Sequence, residues 1–201
     1  AQFRLPTLSA AQRKAAEEIR AVFADRATVL LRGVTGSGKT EIYMHFAAEV
    51  LARGGQVLLL VPEIALTAQL VDRLRQVIAY HSKLTDRKRT ELYLRLRDSA
   101  GGELVIGARS AIFLPLRRLE LVVVDEEHDP SYKQTDPAPR YQARDCAVLM
   151  TRLLGCRTLL GSATPSLESY LNAATGKYGS VVLAERYGPS RMPQILVSDT
   201  I

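Results

Sequence analysis

The chain has no tryptophan, two cysteines and three histidines in 201 residues. Cys146 and Cys156 form no Cys-x-x-Cys spacing and have no histidine pair nearby. That excludes a disulfide framework and a zinc site, leaving free thiols in a reducing compartment as the expectation. No apolar run is long enough to span a bilayer, and no signal-peptide pattern is present. Internal repeats and low-complexity tracts are absent as well, which excludes solenoids and disordered tails. Acidic residues are outnumbered: 27 Lys and Arg against 21 Asp and Glu leave a net charge of +6. An excess of this size suits a polyanionic partner but identifies none. The chain opens on Ala1 without a methionine and stops on an apolar run at Ile201, which reads as a piece of a longer protein.

What is present is an alternation of short apolar runs and helical patterns. Ser9-Ala10-Ala11-Gln12 reads as a capping box opening a helix, with Ile19, Val22 and Phe23 as its buried stripe. Buried strands are expected at Val29–Leu31, Gln56–Val61, Glu103–Ile106, Leu119–Val124 and Thr158–Leu160. Helices are expected after Lys39, over Glu63–Ala79, Thr85–Arg97 and Ala143–Leu154, and from Pro165 to about Thr175. Tyr80-His81-Ser82 reads as a short strand and turn, and Ser180–Leu183 and Ile195–Val197 as strands at an edge or boundary. Such alternation predicts an α/β fold, a mostly parallel sheet covered on both faces, with ligands at the carboxyl ends of its strands. The strand feeding the glycine-rich loop is expected to be central.

The clearest motif is Gly33-Val34-Thr35-Gly36-Ser37-Gly38-Lys39-Thr40. It has the form G-x-x-x-x-G-K-[ST], between an apolar strand and a helical pattern. Gly33, Thr35, Gly36, Ser37 and Gly38 are expected to wrap phosphates with backbone N–H groups, at the positive end of a helix dipole. Lys39 would reach the β- and γ-phosphates and the Thr40 hydroxyl would bind Mg²⁺. Roughly 85 residues downstream, the strongest apolar strand ends in Asp125-Glu126-Glu127-His128. An acid in the position of Asp125 holds Mg²⁺ in P-loop ATPases, and Glu126 is placed to deprotonate an attacking water. ATP, ADP and Mg²⁺ are therefore the expected ligands.

Asp125-Glu126-Glu127-His128 and Gly161-Ser162-Ala163-Thr164-Pro165 resemble the signatures of superfamily-two helicases. More narrowly, Gly33–Tyr43, Val61–Thr67, Gly107–Ala111, Asp125–Gln134 and Gly161–Ser169 resemble the PriA-type primosomal, replication-restart branch. These stretches follow the family's order over nearly the whole chain, and Asp-Glu-Glu-His-Asp-x-Ser-Tyr-Lys-Gln is the most specific of them. The resemblance implies a three-layer P-loop NTPase (RecA-like) domain, the first lobe of a motor, over residues 1–185. Residues 186–201 would extend towards regions that lie beyond it. It also implies a bacterial, cytoplasmic, nucleoid-associated ATP-dependent 3′-to-5′ DNA helicase acting on single-stranded and forked DNA, with primosome proteins as partners.

Position by position, the resemblance makes Gln12 an adenine-reading glutamine, although the capping box accounts for it without a ligand. Pro62, Glu63 and Thr67 match a segment facing the DNA backbone, and Arg109 and Ser110 another backbone-contacting turn. Plain helix capping explains Glu63, Thr67 and Ser110 equally well. Ser131, Tyr132, Lys133 and Gln134 through Arg140 and Tyr141 match an aromatic-rich loop that couples DNA to hydrolysis, its rings stacking on bases. The alternative is a polar loop with both tyrosines packed back on the domain. His128 matches a histidine bonded towards Ser162 and Thr164, linking the nucleotide site to DNA. Thr164-Pro165 also reads as an N-cap pair. Arg87, Lys88, Arg89, Arg95 and Arg97 make Thr85–Arg97 the most basic helix, with a solvated face favoured over a DNA path.

Nothing after Ser169 resembles the family's second lobe, whose arginines contribute about 10³–10⁵ in rate in phosphoryl transfer. Its zinc-binding, cysteine-rich region is missing too. The expectation is a lobe that binds nucleotide and hydrolyses little. Other superfamily-two translocases, RecG-like or acting on RNA, and a non-motor nucleotide switch remain as alternatives.

Overall fold

The computed structural model describes residues 5–65 and 77–184. Within them seven strands form one sheet, every pairing parallel. In chain order the elements are α1 (Ala10–Asp25), β1 (Thr28–Gly33), α2 (Lys39–Ala52), β2 (Gln56–Leu60) and β3 (Ile78–Tyr80). Then come α3 (Asp86–Arg97), β4 (Leu104–Gly107), β5 (Leu119–Val124), α4 (Ala143–Leu154), β6 (Arg157–Ser162), α5 (Leu167–Ala174) and β7 (Gly179–Leu183). The sheet order is β3-β4-β2-β5-β6-β1-β7. A parallel sheet must bury both faces, so its strands lack a polar side, as the all-buried pattern of β2 and β4 shows.

Alternation along the strands divides the core in two. Val29, Leu31, Val57, Leu59, Leu121, Val123 and Leu159 pack with Ile19 and Phe23 of α1 and Ile42 and Phe46 of α2. Leu30, Leu58, Leu60, Val122, Val124 and Leu160 face the other way, onto Leu96 of α3 and Ala143 and Ala147 of α4. The result is the expected three-layer α/β sandwich.

Three boundaries differ from expectation. The strand feeding the glycine-rich loop is not central: β1 lies between β6 and the edge strand β7, and β5 occupies the middle. β7 adds only one strand beyond β1, and the acid-bearing strand takes the middle place. The helix expected over Glu63–Ala79 begins as a short 3₁₀ turn, Glu63–Ala65, and its expected end at Ile78 and Ala79 is instead β3, paired with β4. β-branched Ile78 and the apolar Val77 before it favour the sheet edge once β4 offers a ladder. α5 starts at Leu167 and is capped by Ser166, which accepts from the Ser169 N–H, rather than by Thr164. Thr67 and the strand expected at Ile195–Val197 lie outside the described residues. Both cysteines are free, Cys156 buried and Cys146 half-buried.

Candidate nucleotide and coupling site

The motifs converge where the strands end. β1 runs into the glycine-rich loop, β2 into Pro62, β4 into Arg109, β5 into Asp125 and β6 into Ser162. Gly38 occupies the left-handed region (φ 80°) as the N-cap of α2. A Cβ there would also push aside the amide end of the Gln12 side chain, but it is the left-handed backbone that requires glycine. Gln12 is 1% exposed and does two jobs. Its Oε1 accepts from the Ser9 N–H at 2.8 Å, completing the capping box, while its Nε2 donates to the Gly38 carbonyl at 3.1 Å. The start of α1 is thereby tied to the loop.

Lys39, 7% exposed, donates to the Gly33 carbonyl at 3.0 Å, and its Nζ lies 3.5 Å from Glu126 Oε1. The loop lysine and the acid proposed as the base therefore meet although 87 positions separate them in sequence. The Ser37 hydroxyl is buried without a hydrogen-bond partner among the described residues. Buried polar atoms are nearly always paired, so an orphan donor in a phosphate-type loop is what an anionic ligand would satisfy. Thr35 and Gly36 are exposed at the loop's tip.

The acidic turn is held from several sides. Asp125 Oδ1 accepts from the Tyr43 hydroxyl at 3.1 Å, and its main-chain carbonyl accepts from the Tyr132 hydroxyl at 2.6 Å. Burial, and then the charge of Glu126, push the Asp125 carboxyl up to about 6, against the Tyr43 hydrogen bond and Lys39. Burial also raises both tyrosines well above their ordinary range, so they remain donors. Glu126 adopts φ 45°, the one non-glycine residue at positive φ among the described residues. Strained backbone of this kind persists where the surroundings over-determine it.

His128 Nδ1 lies 2.8 Å from Ser162 Oγ and 3.7 Å from Glu126 Oε2, and its Nε2 is 3.4 Å from Thr164 Oγ1. Ser162 also accepts from the Thr164 N–H at 3.0 Å. The histidine thus spans Glu126 and the turn after β6.

Glu127, part of the acidic motif but given no role there, is the most heavily bonded acid of the turn. Fully buried, it accepts from the Ser166 N–H (2.7 Å) and hydroxyl (3.0 Å), Ser169 Oγ (2.9 Å) and Arg144 Nη1 (3.2 Å). Its N–H donates to the Gly161 carbonyl at 3.0 Å. In the sequence it is one of three consecutive acids. Ser166 and Ser169 at N-cap spacing were the available sign that a helix start lay opposite it.

The loop after the acids is corrected in one respect. Tyr132 has no exposed surface. Its ring is in the core beneath the sheet with Ala143 and Ala147, so it has no face free to stack on a base. Tyr141 is half-buried, packed edge-on against Phe113 at 4.7 Å. Arg109 Nη1 donates to the Lys133 carbonyl at 2.8 Å and the Ser131 carbonyl at 3.3 Å, and its guanidinium sits 6.0 Å from the Tyr141 ring. Lys133 Nζ donates to the Arg140 carbonyl, and Gln134 Nε2 to the carbonyls of Pro137 and Pro139, closing the loop on itself. Lys133 and Gln142 pair as an isolated bridge at its neck. Arg109 thus anchors the loop, while Ser110, Lys133 and Arg140 stay exposed beside it and Pro62 is buried.

The family profile described as DEAD/DEAH box helicase matches residues 9–173. The chain belongs to the DEAD/DEAH box helicase family. Among curated relatives it is similar to replication restart protein PriA of Haemophilus influenzae, 48% identical over 175 residues, covering 85% of this chain and 24% of that protein. PriA of Bacillus subtilis is 42% identical over 195 residues, covering 94% of this chain and 24% of the relative. PriA of Chlamydia trachomatis is 45% identical over 177 residues, 86% of this chain and 23% of the relative. The chain therefore spans about a quarter of the length of the curated relatives it matches. Among solved structures, the DUF1998 helicase MrfA bound to DNA superposes with a TM-score of 0.59 at 15% identity, over 89% of this chain and 27% of that one. The helicase domain of Pyrococcus furiosus Hef gives 0.55 at 19% identity, over 84% of this chain and 37% of that one. At such identities these two speak for the fold alone.

Magnesium fits the donors present. Mg²⁺ takes one or two protein oxygens with water and phosphate making up the rest. No group of three or more His, Cys, Asp or Glu that could hold a metal by itself occurs among the described residues. Asp125, anchored by Tyr43, and Thr40 in the first turn of α2 are the hard oxygen donors that would hold it. No helix among the described residues is long and apolar enough to cross a membrane.

Proposed function

We propose that the chain is the ATP-binding first lobe of a 3′-to-5′ DNA helicase of PriA type, acting at stalled replication forks in the bacterial cytoplasm. The observation that carries this reading is the meeting of Lys39 with Glu126, and of Glu126 with the His128–Ser162–Thr164 relay. A phosphate-binding lysine, a carboxylate able to take a proton from water, and a polar chain leading away from it are the parts a nucleotide-driven motor needs. Backbone N–H groups of Thr35–Lys39, with the Ser37 hydroxyl, hold the β- and γ-phosphates of ATP. Lys39 exchanges its Gly33 carbonyl for phosphate oxygen. Thr40 and Asp125 would hold Mg²⁺, whose chemistry there would be to neutralise charge on the transferring phosphoryl group. Glu126 then orients and deprotonates the attacking water.

DNA is gripped without regard to sequence through phosphates, by exposed Lys133 and Arg140 and the turn at Ser110. Arg109 reports the position of that loop. Tyr132 acts in coupling from inside the core, because its hydroxyl holds the Asp125 carbonyl. With catalytic arginines supplied by a second lobe, the isolated chain binds ATP or ADP and hydrolyses it near background. The family's zinc-binding region and primosome proteins are the partners this reading implies.

ATPase activity, with and without single-stranded DNA, tests it on this chain and on the same chain extended C-terminally by a second motor lobe. DNA-stimulated turnover restored only by the extension is the expected result. Strong DNA-stimulated turnover by the 201-residue chain alone overturns the half-site reading. Nucleotide binding without DNA affinity in either form favours a non-motor switch.

A further inference from the structure

We infer that Tyr43 is a positioning residue for the magnesium site, coupling the helix that carries Lys39 and Thr40 to the carboxylate of Asp125. The inference rests on the nucleotide-site reading and extends it to a side chain outside the recognised motif roles.

Tyr43 is fully buried on α2, within a layer of aliphatic residues where a phenylalanine would fill the same space. Its hydroxyl nevertheless crosses to the end of the sheet and donates to Asp125 Oδ1 at 3.1 Å. A buried hydroxyl is costly unless paired, and this one is paired with the carboxylate of the metal acid. The neighbouring strand is shaped to admit it. A Cβ at Gly161 would fall on the Tyr43 hydroxyl and come within 2.8 Å of Cζ. Gly161 is not at positive φ, so the demand for glycine there is one of space and comes from this hydroxyl.

Tyr43 follows Lys39 by four positions and Thr40 by three, so the three side chains lie along one side of the first turns of α2. A helix is rigid over one turn. A hydrogen bond from its second turn to Asp125 therefore sets the separation between the Thr40 hydroxyl and the Asp125 carboxylate, which must both address one small, geometrically demanding ion. It also gives the carboxyl group one preferred rotation. The two halves of the metal site come from elements far apart in sequence, and the Tyr43 hydroxyl is the α2 group hydrogen-bonded to the Asp125 carboxylate itself.

The test is binding of a fluorescent ADP analogue to the 201-residue chain, in Mg²⁺ and in excess EDTA, for wild type and Tyr43→Phe. Wild type is expected to bind more tightly in Mg²⁺. Tyr43→Phe is expected to lose at least threefold of that Mg²⁺-dependent gain while binding unchanged in EDTA. Gly161→Ala, which displaces the hydroxyl but keeps the phenol, is expected to lose the same Mg²⁺-specific portion. Equal losses in both media, or an undiminished Mg²⁺ gain in Tyr43→Phe, overturn the inference and leave Tyr43 a packing residue. A wild-type chain with no Mg²⁺ gain overturns the metal role of Asp125 itself, whatever the variants do. Thermal melts of the folded variants separate a loss of packing from a loss of positioning.

Discussion

The two halves of the candidate site are built differently. The glycine-rich loop is sparsely bonded: Thr35 and Gly36 are exposed, and Ser37 Oγ is buried without a partner among the described residues. Lys39 rests on a carbonyl and at 3.5 Å from Glu126. The acidic turn is held by side chains from α2, α4 and α5, by Ser166 before α5, and by Tyr132. A loop that must close round a ligand gains from unspent hydrogen-bonding capacity. In the acidic turn Glu127 is fully engaged and Asp125 is held at one oxygen and its carbonyl, so the backbone is fixed while Glu126 keeps its carboxylate free of hydrogen bonds among the described residues. On the function proposed above, ligand affinity resides in the first half and coupling to the rest of the protein in the second.

The comparison is sharpest at Glu127. Glu127→Ala leaves Arg144 and two serines facing an emptied buried site, and breaking such a pair costs about 3–5 kcal/mol. For a domain of this size that lowers Tm by about 6–20 °C, which a thermal melt without nucleotide would read. If the variant melts like wild type, the acidic turn is not the rigid half. Lys39→Ala should behave in the opposite way, with nucleotide affinity reduced at least about tenfold, the loss of one charge-assisted contact, and a melt little changed. Fluorescence titration with the ADP analogue checks it.

Gly38→Ala falls between the two. It strains a φ of 80° and drives a methyl into Gln12, and should cost about 1–3 kcal/mol of stability together with nucleotide affinity. Ser37→Ala removes an unsatisfied hydroxyl, so stability should hold or rise by about 1 kcal/mol while affinity for ADP falls. A stability loss on that substitution would show that the hydroxyl has a role before ligand arrives.

The smallest effect concerns the thiols, which make no hydrogen bond to either half among the described residues. Burial pushes Cys156 up to about 11 and raises Cys146 less. Folded-state values above the unfolded ones mean that the protonated forms favour the fold. That contribution is complete below the ordinary thiol range near 8.5 and is lost as pH rises towards 11. Alkylation at pH 8 should therefore be slow, Cys146 first, and quicken on unfolding.

Much of this was legible in the residues, for identifiable reasons. The glycine-rich loop announced itself because wrapping phosphate restricts residue type at fixed spacing. Asp125 and Glu126 stood out because acids rarely end an apolar run without cause. His128 reaching Ser162 and Thr164 was carried by motif resemblance. Glu127 was hidden, since its neighbours Arg144, Ser166 and Ser169 come from other elements and share no local pattern with it. Tyr132 was misread as a base-stacking ring because a Tyr-Lys-Gln run looks the same whether its aromatic faces solvent or the core.

The sequence by itself determined the period of the strands and helices and the make-up of the glycine-rich loop and the acidic turn, because each depends on neighbours within a few residues. Tertiary structure decided which strand lies at the centre of the sheet, which tyrosine is buried, and which carboxylate is bonded to which donor. Those outcomes depend on contacts between segments tens of residues apart, where burial and the need to pair every polar atom choose among side chains that look alike in the linear text.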